Sequence, residues 1–208
     1  MKYQIRLETA KDHRTVEHLT REAFWDVYHP GCSEHLILHR MREVPAFVPE
    51  LDFVAVMGEE IVGHIAYTKG AVVSPTGERT EALIFGPLSV RPDQQGRGVG
   101  SLLVRHSLKR AAGLGYKGVF IFGNPGYYGR FGFQNAERFG VTTREGENFD
   151  AFMGLELFPG GLKGVAGKFY EDPVFTVSEE DVAAFDRGFP FKEKHVTDTQ
   201  LPGTVKKK

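Results

Sequence analysis

Residues 82–123 read ALIFGPLSVRPDQQGRGVGSLLVRHSLKRAAGLGYKGVFIFG, and this segment contains the central elements of the predicted fold. An apolar run, a glycine-rich turn, an amphipathic helix pattern and a second apolar run follow one another, which predicts a βαβ unit with parallel strands. The first run is too apolar for a strand wetted on one face, so we expect it near the centre of a sheet. Pro87 lacks the N–H that a ladder bond needs, which predicts a bulge or splay. In many α/β folds such a unit opens a ligand crevice at the end of its first strand.

The glycine-rich loop RPDQQGRGVG, residues 91–100, leads into the helix predicted over 98–113 and includes its first three residues. The first N–H groups of a helix lack intrahelical partners and lie at the positive end of its dipole, so they attract anions. Gly96, Gly98 and Gly100 let a phosphate approach those amides closely. The alternative is that they only make a tight turn, and the pattern alone favours neither. The loop lacks the Lys-Ser/Thr ending of a P-loop and the glycine spacing of a Rossmann fingerprint.

The flanking sequence predicts further elements of a single α/β domain. YQIRLET predicts a first strand, and helices are expected up to the stop signal YHPG and over EHLILHRMRE. DFVAVM and IVGHIAYT, joined by GEE, are typical of a β-hairpin. AFMGLEL and GKFYED predict later strands, SEEDVAAFDRGF predicts a short capped helix, and the tail from about residue 192 is expected to be loosely ordered. The helix over 98–113 carries an apolar stripe, formed by Val99, Leu102, Leu103, Leu108 and Ala112.

The composition of the 208 residues is that of an ordinary globular protein. Hydrophobic residues make up 41%, charged residues make up 25%, and the formal net charge is -1. This balance gives no reason to expect a nucleic-acid or membrane partner. The basic end VKKK is expected to be a solvated tail. A single cysteine, Cys32, and a start without a signal-peptide pattern favour the cytoplasm.

QGRGVG, residues 95–100, matches the Q/R-x-x-G-x-G/A signature of the GCN5-related N-acetyltransferases (GNAT), in the place where that superfamily has it. The chain resembles this superfamily, which implies a GNAT-like mixed, strongly twisted sheet with splayed central parallel strands and flanking helices. The resemblance also implies that the loop binds the pyrophosphate of acetyl-CoA, the cosubstrate. The cofactor-binding residues implied here are Gln95, Gly96, Arg97, Gly98, Val99, Gly100 and Ser101, the last five through backbone amides.

The resemblance also accounts for Pro87. GNAT members splay the strand ALIFGPLSV from its parallel neighbour, and the pantetheine arm of the coenzyme lies in the gap like an extra strand. Leu88 and Val90 would contact this arm through their main chain, and the Leu88 N–H would stabilise the oxyanion of the thioester. Asn124 follows the second strand and is a candidate contact for pantetheine. Ordinary turn chemistry is the equal alternative, because Asn before Pro is common in turns.

A second motif, YYGRFGF, resembles the Y-x-x-x-G-F of the superfamily and begins its match at Tyr128. In GNAT members this tyrosine usually lies near the coenzyme sulfur, so Tyr128 is the candidate general acid. Packing in a glycine-rich turn is the alternative. The wider GNPGYYGRFGF resembles a bacterial subgroup of predicted N-acetyltransferases. The resemblance covers residues 3–135 well, so we expect an acetyl-CoA-binding core at 1–140 and a C-terminal extension at 141–208 that completes or decorates the same domain.

The general base is where the sequence departs from the family pattern. An ammonium group with a pKa of ~10 must lose a proton before it can attack. Some relatives place a glutamate on the splayed strand, at the position of Ile84 here. Glu81, His64 and a water relay are the candidates, and a solvated charge and a core histidine are the ordinary alternatives for the two side chains. The other histidines lie without acidic partners at metal-ligand spacing, so no metal is predicted.

Two aromatic clusters, FWDVYH at 24–29 and FVPELDF at 47–53, flank the first two helices. The resemblance implies that they form one wall of the acceptor site, and ordinary core is the alternative. We expect an N-acetyltransferase that passes acetyl from acetyl-CoA to a primary amine, on a small molecule or a protein, by direct attack. The alternatives are another acyl group or acceptor, a non-catalytic acyl-CoA sensor and a nucleotide-triphosphate loop. SPTGERTE and the C-terminal strands are candidates for a homodimer contact.

Overall fold

The computed structural model describes residues 3–200, so the basic end VKKK lies outside the described residues. The strands within this range are β1 (Gln4–Leu7), β2 (Phe53–Met57), β3 (Glu60–Val73), β4 (Arg79–Val90), β5 (Gly118–Phe122), β6 (Gln134–Asn135), β7 (Val141–Thr142), β8 (Phe152–Glu156) and β9 (Gly167–Tyr170). The α-helices are α1 (His13–Phe24), α2 (Glu34–Met41), α3 (Val99–Gly113), α4 (Pro125–Tyr128) and α5 (Glu179–Asp186). Between residues 3 and 200, no helix combines the length and the apolar character that crossing a bilayer requires.

The strands form one mixed sheet. Its order is β1-β2-β3-β4-β5-β8-β6, with β9 paired to β3 and β7 paired to β9. The pairs β4–β5 and β7–β9 are parallel, and the other pairs are antiparallel. The predicted α/β class, with a mixed sheet, central parallel strands and flanking helices, is therefore confirmed. Strands β8 and β9 join this sheet, while the division of the chain at residue 140 stays a prediction.

The strands β4 and β5 separate soon after they pair. Their parallel register covers only two residues of β4, Leu83 and Ile84. Pro87 follows, and the register of β4 with its other neighbour shifts between Ile65 and Tyr67 of β3. The bulge or splay predicted at Pro87 is therefore confirmed. Beyond Ile84 the two strands leave a gap between them.

The buried face of α3 differs from the predicted stripe. Leu102 is 39% exposed, whereas the polar Ser107 is fully buried. The Ser107 and Tyr67 hydroxyls form a hydrogen bond of 2.8 Å, which satisfies both groups inside the core. The stripe was predicted from apolar residues alone, so it could not include a polar side chain with a buried partner. The observed buried face consists of Val99, Gly100, Leu103, Val104, Ser107 and Ala111.

The segment after α5 packs against the end of α1, where a loosely ordered tail was predicted. The Trp25 indole N–H donates to the carbonyl of Glu193 at 2.8 Å. The Thr197 hydroxyl donates to the carbonyl of Asp26 at 2.8 Å. Composition cannot reveal such contacts, because their partners lie far apart along the chain. They fix the connection between α1 and α2.

A buried arginine joins three helices. Arg21 of α1 has a side chain only 1% exposed, and its Nε donates to Asp186 of α5 at 2.6 Å. His35 of α2 lies 3.3 Å from the same carboxylate, and the guanidinium lies 4.1 Å from the centroid of the Trp25 ring. Helices α1, α2 and α5 therefore depend on one buried ion pair.

We expect Asp186→Ala to lower the free energy of unfolding by about 3 kcal/mol, because it removes the main partner of a buried guanidinium. Asp181→Ala on the same helix is the matched control, since its pair with Arg40 at 3.2 Å is exposed on both sides and contributes little. Urea unfolding of both variants measures the difference. Equal losses would contradict a structural role for the buried pair.

Candidate functional site

Two adjoining cavities open where β4 and β5 separate. The first, of about 530 Å³, is called the glycine-loop cleft and is lined by the end of β4, the glycine loop, the start of α3, the end of β5 and α4. The second, of about 350 Å³, is called the inner cavity and lies among β4, β5, the α1–α2 segment and residues 171–175. The two cavities adjoin each other and share the lining residues Phe24, Tyr28, Leu88, Phe122 and Tyr128.

The glycine loop has the backbone shape that its sequence predicts. Gly96 and Gly98 have φ values of 73° and 87°, which residues with a side chain rarely adopt. Gly98 is the N-cap of α3, so the amides that follow it have no acceptor within the helix. Arg97 is exposed and does not line the cleft, so its role stays a prediction. The predicted loop residues that do line the cleft are Gln95, Gly96, Gly98, Val99, Gly100 and Ser101.

Two side chains that the sequence analysis did not assign to the site also line this cleft. A Cβ at Gly100 would lie 2.7 Å from the hydroxyl of Tyr127, so Tyr127 reaches across the cleft to the start of α3. Arg130 places its guanidinium 4.7 Å from the centroid of the Tyr127 ring and brings a positive charge to the cleft. Their place inside YYGRFGF was the signal that could have identified them.

Leu88 and Val90 turn their main-chain groups away from β3. The Arg91 N–H donates to the carbonyl of Val62 at 2.9 Å, which fixes one hydrogen-bonded pair of the antiparallel ladder. Bonded and non-bonded pairs alternate along such a ladder, so the N–H and C=O groups of Leu88 and Val90 face the gap. An independent contact agrees, since the Gln95 side chain donates to the Val90 carbonyl at 3.1 Å.

Tyr128 lies at the junction of the two cavities. Its ring packs directly on Gly123, where a methyl group would overlap it. Phe85 and Phe133 flank the ring with centroid distances of 5.7 and 5.8 Å. Burial raises the pKa of the Tyr128 phenol above its ordinary range, so the hydroxyl stays protonated at neutral pH and can donate a proton. Tyr128 therefore combines the predicted position in the cleft with the aromatic packing that was its alternative role.

Asn124 shows the turn chemistry that was one of its two predicted roles. Its Oδ1 accepts a hydrogen bond from the Gly126 N–H at 2.8 Å and caps α4. The residue also lines the glycine-loop cleft. Contact with pantetheine stays a prediction.

The inner cavity contains two carboxylates that the sequence analysis missed. Glu34 is the first residue of α2, and Glu171 follows β9. Both line the cavity together with Ile84, which occupies the strand position where some relatives have a glutamate. The two residues lie 137 positions apart, so no local pattern could join them. The cluster FWDVYH supplies Phe24 and Tyr28 to this wall. The cluster FVPELDF is core instead, with Val48, Leu51 and Phe53 buried.

Neither side chain proposed as the general base lines the two cavities. The Glu81 side chain is 54% exposed and lies 3.5 Å from the Nζ of Lys69. His64 is fully buried and forms a hydrogen bond of 2.7 Å with Asp52. Burial lowers the pKa of His64 to about 4. A solvated charge and a hydrogen-bonded core histidine, the ordinary alternatives, describe the two residues.

His64 has acidic neighbours in the fold, although its sequence spacing did not suggest them. The nearest ligand atoms of Glu8, Asp52 and His64 lie within 4.8 Å of one another. Arg42 donates to both carboxylate oxygens of Glu8, at 2.9 and 2.7 Å, so the cluster already contains a permanent positive charge. That charge disfavours a second cation nearby. The predicted absence of a metal stays a prediction.

Comparison with known proteins gives one family. A family model described as an acetyltransferase (GNAT) domain matches residues 4–136. The uncharacterized N-acetyltransferase YhbS of Escherichia coli (strain K12) is 29% identical over 164 residues, which are 78% of this chain and 92% of YhbS. A crystal structure of E. coli YhbS in complex with CoA has a TM-score of 0.75 at 27% identity, covering 84% of this chain and 92% of that one. A GNAT family acetyltransferase from Brucella melitensis in complex with acetyl-CoA has a TM-score of 0.67 at 27% identity, covering 84% and 99%.

We expect Gly123→Ala to lower the free energy of unfolding by roughly 1–3 kcal/mol, because the added methyl displaces the Tyr128 ring or the backbone beneath it. Gly129→Ala is the matched control in the same segment: its φ is -55°, and a Cβ there meets no atom within 4 Å. Urea unfolding of both variants gives the comparison. If Gly123→Ala is as stable as the control, Tyr128 is not seated on Gly123.

Proposed function

The chain belongs to the GNAT acetyltransferase family, and on this premise we propose that it transfers the acetyl group of acetyl-CoA to a primary amine by direct attack. The shared wall of the two adjoining cavities carries the proposal. The glycine-loop cleft offers the amides at the start of α3 to a coenzyme, and the inner cavity borders the same strand, β4, and the same tyrosine, Tyr128. The cytoplasmic location, the homodimer and the choice between a small-molecule and a protein acceptor stay predictions from the sequence.

The glycine-loop cleft supports the binding of the coenzyme. A pyrophosphate is favoured at the start of α3, where amides lack intrahelical acceptors, and the Arg130 guanidinium adds positive charge to the cleft. The amides of pantetheine would pair with the main chain of Leu88 and Val90, as a neighbouring strand does. YhbS is described in complex with CoA and the Brucella protein in complex with acetyl-CoA, which supports the same cosubstrate here.

The chemistry takes place at the junction of the cavities. The lone pair of the amine forms the new C–N bond at the thioester carbonyl carbon, and the Leu88 N–H stabilises the negative charge that develops on the oxygen. When the C–S bond breaks, its electron pair leaves with the sulfur. Tyr128 then supplies a proton to the thiolate, since its phenol, whose pKa is raised by burial, is protonated at neutral pH.

We expect Gly98→Val to abolish coenzyme binding without unfolding the domain. A side chain at φ of 87° distorts the loop, and its bulk displaces the pyrophosphate. Gly77→Val is the matched control, with φ of 86°, equal open space and a position in the β3–β4 loop. Thermal-shift titration with CoA measures binding, since a ligand of the folded state raises its stability. If Gly98→Val binds CoA as tightly as the parent, the loop is only a turn.

We expect Tyr128→Phe to lower kcat for amine acetylation by ~10²-fold, the range of a lost general acid. The phenyl ring keeps the packing against Phe85 and Gly123, so stability and coenzyme binding should change little. Tyr116→Phe, outside both cavities, is the control. Release of the free thiol with a panel of amines gives the rate. An unchanged kcat would remove the acid role from Tyr128. If the protein binds the coenzyme but releases no thiol with any of the amines, a non-catalytic sensor is favoured.

A further inference from the structure

The inner cavity is lined mainly by aromatic and aliphatic side chains. Glu34 and Glu171 are the only charged residues among those of the described range 3–200 that line it. The remaining walls are Phe24, Tyr28, Ile37, Ile84, Phe85, Gly86, Pro87, Leu88, Ile121, Phe122, Tyr128 and Phe175. A cavity with aromatic and aliphatic walls and two negative charges suits a ligand that has an apolar body and a cationic group.

Glu171 is a carboxylate without a partner. It forms no hydrogen bond or ion pair within residues 3–200, although it borders the apolar cavity. The carboxylate oxygens at this wall are therefore available to accept hydrogen bonds from a ligand in the cavity. The residue is also exposed to solvent, which gives a proton a path to water.

The pKa of Glu171 suits a base. Partial burial, together with the negative charge of Glu145, raises it to about 7, so the carboxylate accepts a proton readily near neutral pH. Lys69 and Glu81 line a second cavity with Glu171 and lie 3.5 Å from each other. The other charged and titratable groups that line either cavity with Glu171 are Tyr28, Glu34, Arg79, Tyr128, Tyr170 and Asp172.

Glu34 is held in place by the backbone. Its Oε2 accepts a hydrogen bond from the Ser33 N–H at 2.9 Å, so the side chain folds back on the start of α2. A carboxylate oxygen has further lone pairs, and an ammonium group of a ligand can donate to them. Burial raises the pKa of Glu34, and a bound ammonium group favours its ionised form, so Glu34 offers a fixed partner for a cation in the wall of the inner cavity.

We propose that the inner cavity binds an amine with an apolar body, that Glu171 takes the proton from its ammonium group, and that Glu34 holds that group by its charge. This inference rests on the proposed acetyl transfer and names the substrate class and the base for it. An acceptor with a carboxylate beside its amine is repelled by both glutamates, so free amino acids are poor substrates.

The proton balance closes with these residues. Glu171 takes the first proton of the ammonium group and passes it to water, which leaves a neutral amine. The amine forms the C–N bond, and the C–S bond breaks with its electron pair on sulfur. The second proton is lost from nitrogen as the amide forms, and it replaces the proton that Tyr128 gives to the thiolate. The products are the acetamide, free CoA and one released proton.

The substrate class is tested with 2-phenylethylamine and phenylalanine, which differ only by a carboxylate. Thiol release from acetyl-CoA is measured with each amine across the pH range. We expect the parent protein to prefer 2-phenylethylamine, with kcat/KM rising as pH increases through about 7, because the base must be deprotonated to act.

Three variants test the two carboxylates. Glu171→Gln should lower kcat/KM by ~10²-fold and remove the rise near neutral pH. Glu145→Gln should keep the activity and move the rise to lower pH, since it removes a negative charge that raises the pKa of Glu171. Glu34→Gln should raise KM for the amine about tenfold while kcat stays, because one charged hydrogen bond is lost. Glu59→Gln, exposed in the β2–β3 turn, is the control.

CoA thermal shifts of every variant show whether its fold and coenzyme binding are intact. Phenylalanine accepted at least as well as 2-phenylethylamine, or a Glu171→Gln variant that keeps the parent pH profile, overturns this inference and leaves acetyl transfer standing. No turnover of any primary amine by the parent, although CoA stabilises it, overturns the proposed function and the inference together.

Discussion

The short pairing of β4 with β5 is the constraint on which the site depends. Parallel hydrogen bonding extends over two residues of β4, Leu83 and Ile84, and then stops. The main-chain groups of Leu88 and Val90 consequently face a gap where a neighbouring strand would normally supply partners. The Val90 carbonyl accepts from the Gln95 side chain, and the other groups need partners of their own, so water or a ligand has to fill the rest of this place. A ligand with amides of its own, extended like a strand, meets that requirement best.

The opposite wall of the site is fixed from the other end of the chain. Phe24 and Tyr28 are held by a segment whose position depends on Arg21, Asp186 and the contacts of Trp25. Desolvation offsets much of the attraction within a buried ion pair, but removal of one partner leaves the other charge buried and unpaired. The position of the wall formed by Phe24 and Tyr28 therefore depends on contacts with α5 and the segment after it.

The sequence predicted the half of the site that is encoded locally. The strand, loop and helix around Gly98 and the position of Tyr128 follow from spacings within about fifty residues. The sequence pattern and the family resemblance can therefore predict them. Ser107 was left off the buried face of its helix because its partner comes from another strand. Glu34 and Glu171 were missed for the same reason, since only tertiary folding brings them to one cavity. Contacts between distant segments leave no periodic signal.

The two halves of the site come from different parts of the chain. The match to the family model ends at residue 136, whereas Glu171 and Phe175 lie beyond it and line the inner cavity without lining the glycine-loop cleft. On the proposed function, substitutions at these two positions would change how the acceptor is bound and deprotonated, while the residues that line the glycine-loop cleft stay the same. On the same proposal, acceptor preference would depend on a short late segment that lies apart from the residues lining the glycine-loop cleft.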